Sequence, residues 1–283
     1  MEIDFIKMHG LGNDYVFVDC IKHGTPDEQH LLDLAQKVSH RNYGVGGDGL
    51  VLILPGTEHR LRMRIFNADG SEAEMCGNAI RCIGRYAYDS GAVTEKSFGI
   101  ETPKRLIELE VIDSRNIQVD LGAPVTIDEE SEMHETAEGN CTESLIVEGK
   151  EHTYTPVSMG NPHAVVFVPD YGFDLHKLGR AIELHRAFPN RTNVEFVRVF
   201  SREEIRMRVW ERGSGETLAC GTGASAAVVA SVLNGFTDRE VLVHLKGGDL
   251  FIHWSEKTNH VYMTGPADYV FTGRYYYEET DSS

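Results

Sequence analysis

Two cysteines, Cys76 and Cys220, each stand directly before a glycine, and each Cys-Gly pair closes a stretch that the chain carries twice. The first copy reads Arg64-Ile65-Phe66-Asn67-Ala68-Asp69-Gly70-Ser71-Glu72-Ala73-Glu74-Met75-Cys76-Gly77. The second begins 144 residues later as Arg208-Val209-Trp210-Glu211-Arg212-Gly213-Ser214-Gly215-Glu216-Thr217-Leu218-Ala219-Cys220-Gly221. The copies align without a gap. Arg, Glu, Cys and Gly coincide, and Ile/Val and Phe/Trp are similar. A duplication kept only for packing would explain the shared apolar positions. It would not explain why the closest match runs into a cysteine in both copies.

Each pair reads as the end of a strand, a tight turn and the start of a helix. A helix N-terminus has unpaired N–H groups and partial positive charge. There a thiol is expected to lose its proton more easily, and a carboxylate finds ready donors. Gly77 and Gly221 allow an anion close to the backbone. Two such halves, packed face to face, would place Cys76 and Cys220 across a shared cleft. One thiolate would remove a proton from a carbon beside a carboxylate, and one thiol would return a proton to the other face. General acid–base catalysis needs each group within hydrogen-bond reach of its proton. Charge growing on the carboxylate would be met by preorganised N–H groups. Cys20, Cys82 and Cys141 lack this context and are read as ordinary residues, Cys82 within the core.

The elements that must position these thiols also repeat. His40-Arg41 recurs as His185-Arg186, which places Asp48 on Asn193. Gly12-Asn13 recurs as Gly160-Asn161, each before a strand-like run. Apolar spacing predicts strands at about 3–7, 15–20, 50–54, 61–67, 98–101, 107–112 and 116–120 in the first half. It predicts helices at about 27–39, through Leu31, Leu34, Ala35 and Val38, and after Cys76. The second half repeats the order, with strands near 153–157, 164–168, 193–200, 204–210, 241–245, 249–253 and 260–264. Its helices fall near 174–185 and after Cys220, the latter apolar nearly all round and so buried. Leu121-Gly122-Ala123-Pro124 marks the boundary, and the acidic stretch from Asp128 to Asn140 reads as a linker or surface loop. The halves are thus 1–121 and 122–266, with the run 267–283 expected to rejoin the first.

Composition narrows the class. The 283 residues carry 27 basic and 44 acidic side chains, a net charge of −17. That balance lacks the basic footprint of a nucleic-acid binder and suits solubility. No secretory leader is recognisable at Met1–Lys7. The longest apolar run, Ala224–Leu233, is far too short to span a membrane. A cytoplasmic protein is expected, with its five cysteines as reduced thiols. No Cys/His spacing suggests a metal. The Asn-x-Thr sequons at Asn140 and Asn190 are read as chance. Gly44-Val45-Gly46-Gly47-Asp48-Gly49 fits GxGxxG but follows a helix and opens a strand, the reverse of a dinucleotide fingerprint.

The sequence resembles diaminopimelate epimerase along essentially its whole length. The matching motifs are Met8-His9-Gly10-Leu11-Gly12-Asn13-Asp14, Asn67-Ala68-Asp69-Gly70-Ser71-Glu72 before Cys76-Gly77-Asn78, Gly160-Asn161-Pro162-His163, Thr192-Asn193-Val194-Glu195, and Trp210-Glu211-Arg212-Gly213 before Ala219-Cys220-Gly221-Thr222-Gly223. The resemblance implies an α+β fold of two pseudo-symmetric halves, each with mainly antiparallel strands wrapped around a central helix. It implies epimerisation of LL- to meso-diaminopimelate in lysine and peptidoglycan-precursor biosynthesis, without cofactor or metal, by a homodimer. Cys76 and Cys220 would be the acid/base thiols, with His163 and Glu211 supporting their protonation states. Gly77, Asn78, Gly221 and Thr222 would hold the reacting carboxylate. Asn13, Asn67, Asn161, Asn193, Glu211 and Arg212 would line the substrate pocket. Gly49 falls in that pocket where many members carry Gln, so a side-chain contact would be lost there or supplied by water. Racemases and isomerases of the same fold that act on proline, hydroxyproline or another small acid are the alternative. Arg212 and the asparagines favour a longer substrate with a charged far end.

Overall fold

The computed structural model describes residues 1–73, 75–126 and 141–278. It divides into two compact units, Met1–Val119 with Gly265–Ser283, and Asp120–Thr264. The stretch Asp128–Asn140 and its sequon lie outside the described residues, as do residues 279–283.

The first unit runs β1 (Glu2–Gly10), β2 (Asn13–Asp19), α1 (Cys20–His23), α2 (Leu31–Ser39), β3 (Gly49–Pro55), β4 (Leu61–Asn67), β5 (Glu72–Ala73), α3 (Gly77–Asp89), β6 (Ser97–Glu101), β7 (Leu106–Val111) and β8 (Asn116–Asp120). Most neighbouring strands are antiparallel, but β2 pairs parallel with β3, and β4 with β6. Parallel neighbours need a crossover connection. Those two crossovers contain α2 and α3, so the topology itself places the helix that begins after Cys76.

The second unit opens with β9 (Val125–Thr126), β10 (Glu143–Val147), β11 (Lys150–Ser158) and β12 (Pro162–Phe167). It continues through α4 (Leu175–Glu183), β13 (Asn193–Ser201), β14 (Glu204–Glu211), β15 (Gly215–Glu216), α5 (Gly221–Leu233), β16 (Glu240–Leu245), β17 (Gly248–Trp254) and β18 (Val261–Pro266). Again two pairs are parallel, β12 with β13 and β14 with β16. Their crossovers contain α4 and α5. The last strand, β19 (Asp268–Tyr276), pairs antiparallel with β1 in the first unit.

Each unit buries one helix among its strands. Nine of the thirteen residues of α3 are buried, from Gly77 to Ala87, and the helix packs on β1, β2 and β7. Gly84 lets β7 and β8 approach, because a Cβ there would lie 2.9 Å from Leu109 and 3.2 Å from Ile117. In α5, Ala224, Ala226, Ala227, Val228, Val229 and Ala230 are all fully buried, which anchors the helix start rigidly. The outer helix α2 is amphipathic and buries Leu31, Leu34, Ala35 and Val38, as its spacing requires, against Val16, Leu50, Leu52 and Phe66. In the second unit Leu175 and Ile182 of α4 play that part against Ala164, Val194 and Phe196.

Three sequence expectations change in detail. The strand expected over 15–20 stops at Asp19, whose carboxylate accepts from the N–H groups of Ile21 and Lys22 at 3.0 and 3.1 Å and caps a short helix. The helix expected from 27 starts as a 3₁₀ turn at Glu28–His30 and becomes α-helical only at Leu31. The sheet register also replaces one pairing of the repeat. Tyr15 lies opposite Gly49, and His163 opposite Asn193. Gly49, not Asp48, therefore occupies the place of Asn193, because the loops before the two strands differ by one residue. A one-residue shift turns every side chain to the other face, so this choice decides which residues correspond.

Candidate active site

In the second unit, the extended residues after β15 bring Cys220 to the start of α5, where it is the N-cap with φ −124° and ψ 114°. Its Sγ accepts from the Gly223 N–H at 3.4 Å and lies 3.5 Å from the Thr222 hydroxyl. Asn161 donates to Thr222 Oγ1 at 3.3 Å, and its own Oδ1 faces His163 Nε2 at 3.1 Å. The opposite ring nitrogen, Nδ1, meets Glu195 Oε1 at 2.7 Å, with both side chains fully buried. Glu211 accepts from the Thr217 hydroxyl, and its carboxyl acts electrostatically on Cys220. Asn193 donates to the Pro162 carbonyl and accepts from the Arg212 N–H, tying the loop after β14 to β12. The Arg212 side chain is exposed, with one N–H on the Asn190 carbonyl at 3.3 Å.

The electrostatics around Cys220 differ from what a helix start alone suggests. Burial raises its thiol pKa well above the usual range, and the nearby Glu211 and Glu195 carboxyls push it further. The Thr222 and Gly223 hydrogen bonds oppose this but do not win. The expected easy deprotonation is thus overturned at Cys220, because desolvation outweighs the helix N-terminus. Burial also raises Glu211 and Glu195 above the ordinary carboxylate range.

In the first unit Cys76 is the N-cap of α3, with φ −135° and ψ 118°, and is half-buried. Its thiol donates to Asn13 Oδ1 at 3.3 Å, and the Tyr15 hydroxyl points at Sγ from 3.6 Å. Asn78 also donates to Asn13 Oδ1, at 3.1 Å. The Asn13 amide donates in turn to Asp48 at 2.7 Å, which fixes its oxygen toward the sulfur. Arg41 bridges Asp48 and Asp14, and Lys7 reaches Asp14 at 2.5 Å. Beneath the helix start, the fully buried Arg81 donates to Asn78 Oδ1 at 2.8 Å and to the Gly77 carbonyl at 3.3 Å.

The structure therefore gathers Asn13, Gly77 and Asn78 around Cys76, and His163, Asn161, Glu211, Gly221 and Thr222 around Cys220. Asn67 instead donates to Ser71 Oγ within its turn, and the Arg212 side chain is exposed. Gly49 offers no side-chain contact and has no room for one: a Cβ there would lie 2.1 Å from the Phe66 carbonyl oxygen and 3.0 Å from Tyr15. The N–H groups of Gly44, Gly46 and Gly47 donate to carbonyls at the end of α2 and just beyond it, so they close that helix rather than cradle a phosphate.

Sequence reasoning missed eight polar residues of these networks: Lys7, Asp14, Tyr15, Arg41, Asp48, Arg81, Glu195 and Thr217. Two left a signal. Glu195 is a carboxyl within the apolar run Val194-Glu195-Phe196-Val197, and Arg81 interrupts the buried face of α3. Nothing in the spacing marks Tyr15.

The same two-unit architecture recurs in solved structures. A hydroxyproline epimerase from Agrobacterium vitis superposes with a TM-score of 0.67 at 14% identity, covering 97% of this chain and 92% of that one. A phenazine biosynthesis protein of the PhzF family from Bacillus anthracis gives 0.67 at 17% identity, covering 97% and 99%. These likenesses define the fold class, the α+β fold shared by PhzF proteins and proline-racemase-like epimerases. The family follows from sequence. The profile described as diaminopimelate epimerase matches residues 5–127 and 155–270. Diaminopimelate epimerase of Desulfitobacterium hafniense is 50% identical over 96% of this chain and 97% of its own length. That of Methanococcus maripaludis strain C5 is 48% identical over 95% and 98%. The chain belongs to the diaminopimelate epimerase family, and so to the amino-acid epimerases.

Proposed function

We propose that this enzyme interconverts LL- and meso-2,6-diaminopimelate, with Cys76 and Cys220 as its acid/base pair. One observation carries the reading: a strand, a tight turn and a helix start present a cysteine in both units, in a chain half identical to relatives bearing that name. In the reaction one thiolate takes the α-proton, and the electron pair moves into the carboxylate as an enediolate. The other thiol then delivers a proton to the opposite face. Cys220, held protonated by burial, is the acid in the direction in which Cys76 removes the proton. The N–H groups at Gly77-Asn78 and Gly221-Thr222 stabilise the charge as it grows, since preorganised donors need no reorientation.

Asn13, Asn67, Asn161 and Asn193 would serve the amino and carboxylate groups, since an amide can donate and accept. The exposed Arg212 would fork onto the far carboxylate, while Glu211 accepts from an ammonium. His163 and Glu211 would set the protonation of the thiols. The halves we take as 1–121 with 267–283 and 122–266, a division that the two compact units support. We place the enzyme in the cytoplasm, in lysine biosynthesis, as a homodimer. No described helix is long and apolar enough to cross a membrane. The exposed Val270, Phe271 and Tyr276 of β19 favour self-association.

Incubation with LL-diaminopimelate and, separately, with proline in heavy water tests the substrate. Deuterium at the α-carbon of diaminopimelate alone is the expected result. Exchange only into proline would replace this reading with that of a proline-type racemase.

A further inference from the structure

The buried pair of Glu195 and His163 has no counterpart in the first unit. At the same register stand Val51, opposite Ile65 as Glu195 is opposite Val209, and Tyr15, opposite Gly49 as His163 is opposite Asn193. A carboxyl in the middle of a sheet, fully buried, is costly unless it is paired. Glu195 Oε1 is paired with His163 Nδ1, yet Oε2 has no hydrogen-bond partner among the described residues. A cost retained at one copy of a duplicated strand, and absent from the other, points to a role beyond packing.

From Glu195 a polar chain leads back to the sulfur. It runs through His163, Asn161 and Thr222 to Cys220, in steps of 2.7, 3.1, 3.3 and 3.5 Å. Glu195 also lies directly under the helix start, where a Cβ on Gly223 would meet its Oε1 at 2.7 Å. The direction of the chain is set by its members. Asn161 donates through Nδ2 to Thr222, so its Oδ1 can only accept, and His163 Nε2 must carry a hydrogen. Nδ1 then meets a carboxyl that either keeps its proton and donates it, or has passed it to the ring. In both cases the pair holds two protons and is neutral overall, which suits a site without water-exposed atoms.

We propose that Glu195 is a positioning residue for Cys220: it fixes His163 as an Nε2–H donor, and His163 through Asn161 orients the Thr222 hydroxyl against the sulfur. This deepens the two-thiol reading and rests on it. The other titratable groups acting on the pair are Glu211 on β14 and Cys220 itself, at the start of α5. Burial favours the protonated form of Glu195, in keeping with the neutral pair.

The direct test is the ring state of His163 in the wild-type enzyme, read by nitrogen-15 NMR of histidine-labelled protein and assigned with His163→Gln. Protonated Nε2 from pH 7 to 9 is expected. A bare Nε2, as a reversed Asn161 amide would give, overturns the proposal. Kinetics add an independent arm with Glu195→Gln and Glu195→Val, the latter copying the first unit. For Glu195→Val, which leaves Nδ1 without a partner, kcat should fall about 10- to 100-fold, as for other residues that orient a reacting group, with KM within threefold and an altered pH profile of kcat. For Glu195→Gln, whose amide can still donate to Nδ1, kcat should fall less. Unchanged kcat and pH profile in folded Glu195→Val would also overturn it. A wild-type enzyme inactive on diaminopimelate would instead refute the functional reading, and leaves the NMR result to decide this one.

Discussion

The two cysteine sites share a backbone and differ in almost everything attached to it. Around Cys76 the hydrogen bonds described are to neutral groups: Asn13 accepts from the thiol, Tyr15 donates to it, and Asn78 braces Asn13. Around Cys220 stand two carboxyls, Glu211 and Glu195, with His163 between Glu195 and Asn161. Cys76 is half-buried, whereas Cys220 is only 7% exposed. In the first unit Lys7, Asp14, Arg41 and Asp48 stand one step back behind the Asn13 amide, and the buried Arg81 lies beneath the helix start on Asn78 and Gly77. Duplication supplied two equivalent helix starts, and substitution on the flanking strands then gave the thiols unequal environments. If the two thiols are the acid/base pair proposed above, the unequal environments bias which of them holds the proton in the free enzyme.

The largest expected effect breaks either site alone. Cys76→Ala and Cys220→Ala should each lower epimerisation by at least about 1,000-fold, within the range attributed to general acid–base groups, in an assay of meso product. Near-full turnover by either variant would leave one site without a role. Next comes Gly223→Ala, whose Cβ would press on Glu195 Oε1 at 2.7 Å and on Cys220 Sγ at 3.3 Å. Overpacking of this kind costs about 1–3 kcal/mol, read by urea denaturation, and turnover should fall with it. If Gly223→Ala matched the wild type, the tight packing at the Cys220 helix start would not matter to the enzyme.

Glu211→Gln sharpens the electrostatic contrast. After burial, the Glu211 carboxylate is the next cause of the raised Cys220 pKa, so its removal should shift the pH profile of Cys220 alkylation to lower pH. A shift upward would mean that the carboxyl stabilises the thiolate instead. In the first unit, Asp48→Ala removes the acceptor that orients Asn13, and a lost hydrogen bond to a charged group costs about 1.5–3 kcal/mol. KM and kcat should change by severalfold rather than by thousands.

The smallest effect concerns acid stability. Burial alone would raise the Asp14 pKa, but the Arg41 and Lys7 bonds and charges prevail and hold it below the usual carboxylate value. A group depressed in the folded state stabilises it above its unfolded pKa, and that contribution is lost as pH falls through the folded value. Asp14→Asn should therefore lower stability at pH 7 and converge on the wild type in strong acid. Glu195 has the opposite sign. Its raised pKa makes folding less favourable once pH exceeds the unfolded value.

Much of this was legible because duplication writes the same signal twice. The match from Arg64 to Gly77 against Arg208 to Gly221 located both thiols, and apolar spacing located α2 and the all-apolar α5. The parallel pairs of β2 with β3 and β4 with β6 were not legible, since spacing along a chain carries no strand direction. The register error at Asp48 has a similar origin, because a loop one residue longer is invisible until hydrogen bonds fix the pairing. Tyr15 and Glu195 act through distance to residues far away in sequence, and only the fold supplies that. The reading of easy ionisation at both helix starts failed at Cys220 because burial is a tertiary property.

The central claim is that one thiol takes the α-proton and a different thiol returns one. Its most direct measurement is the position of deuterium early in the conversion of LL-diaminopimelate by the wild-type enzyme in heavy water. With two bases, meso product should carry deuterium at the inverted carbon while recovered LL substrate stays almost entirely protonated. A single base would return solvent deuterium to the face it came from, so deuterium entering the recovered substrate as fast as the product would contradict the account.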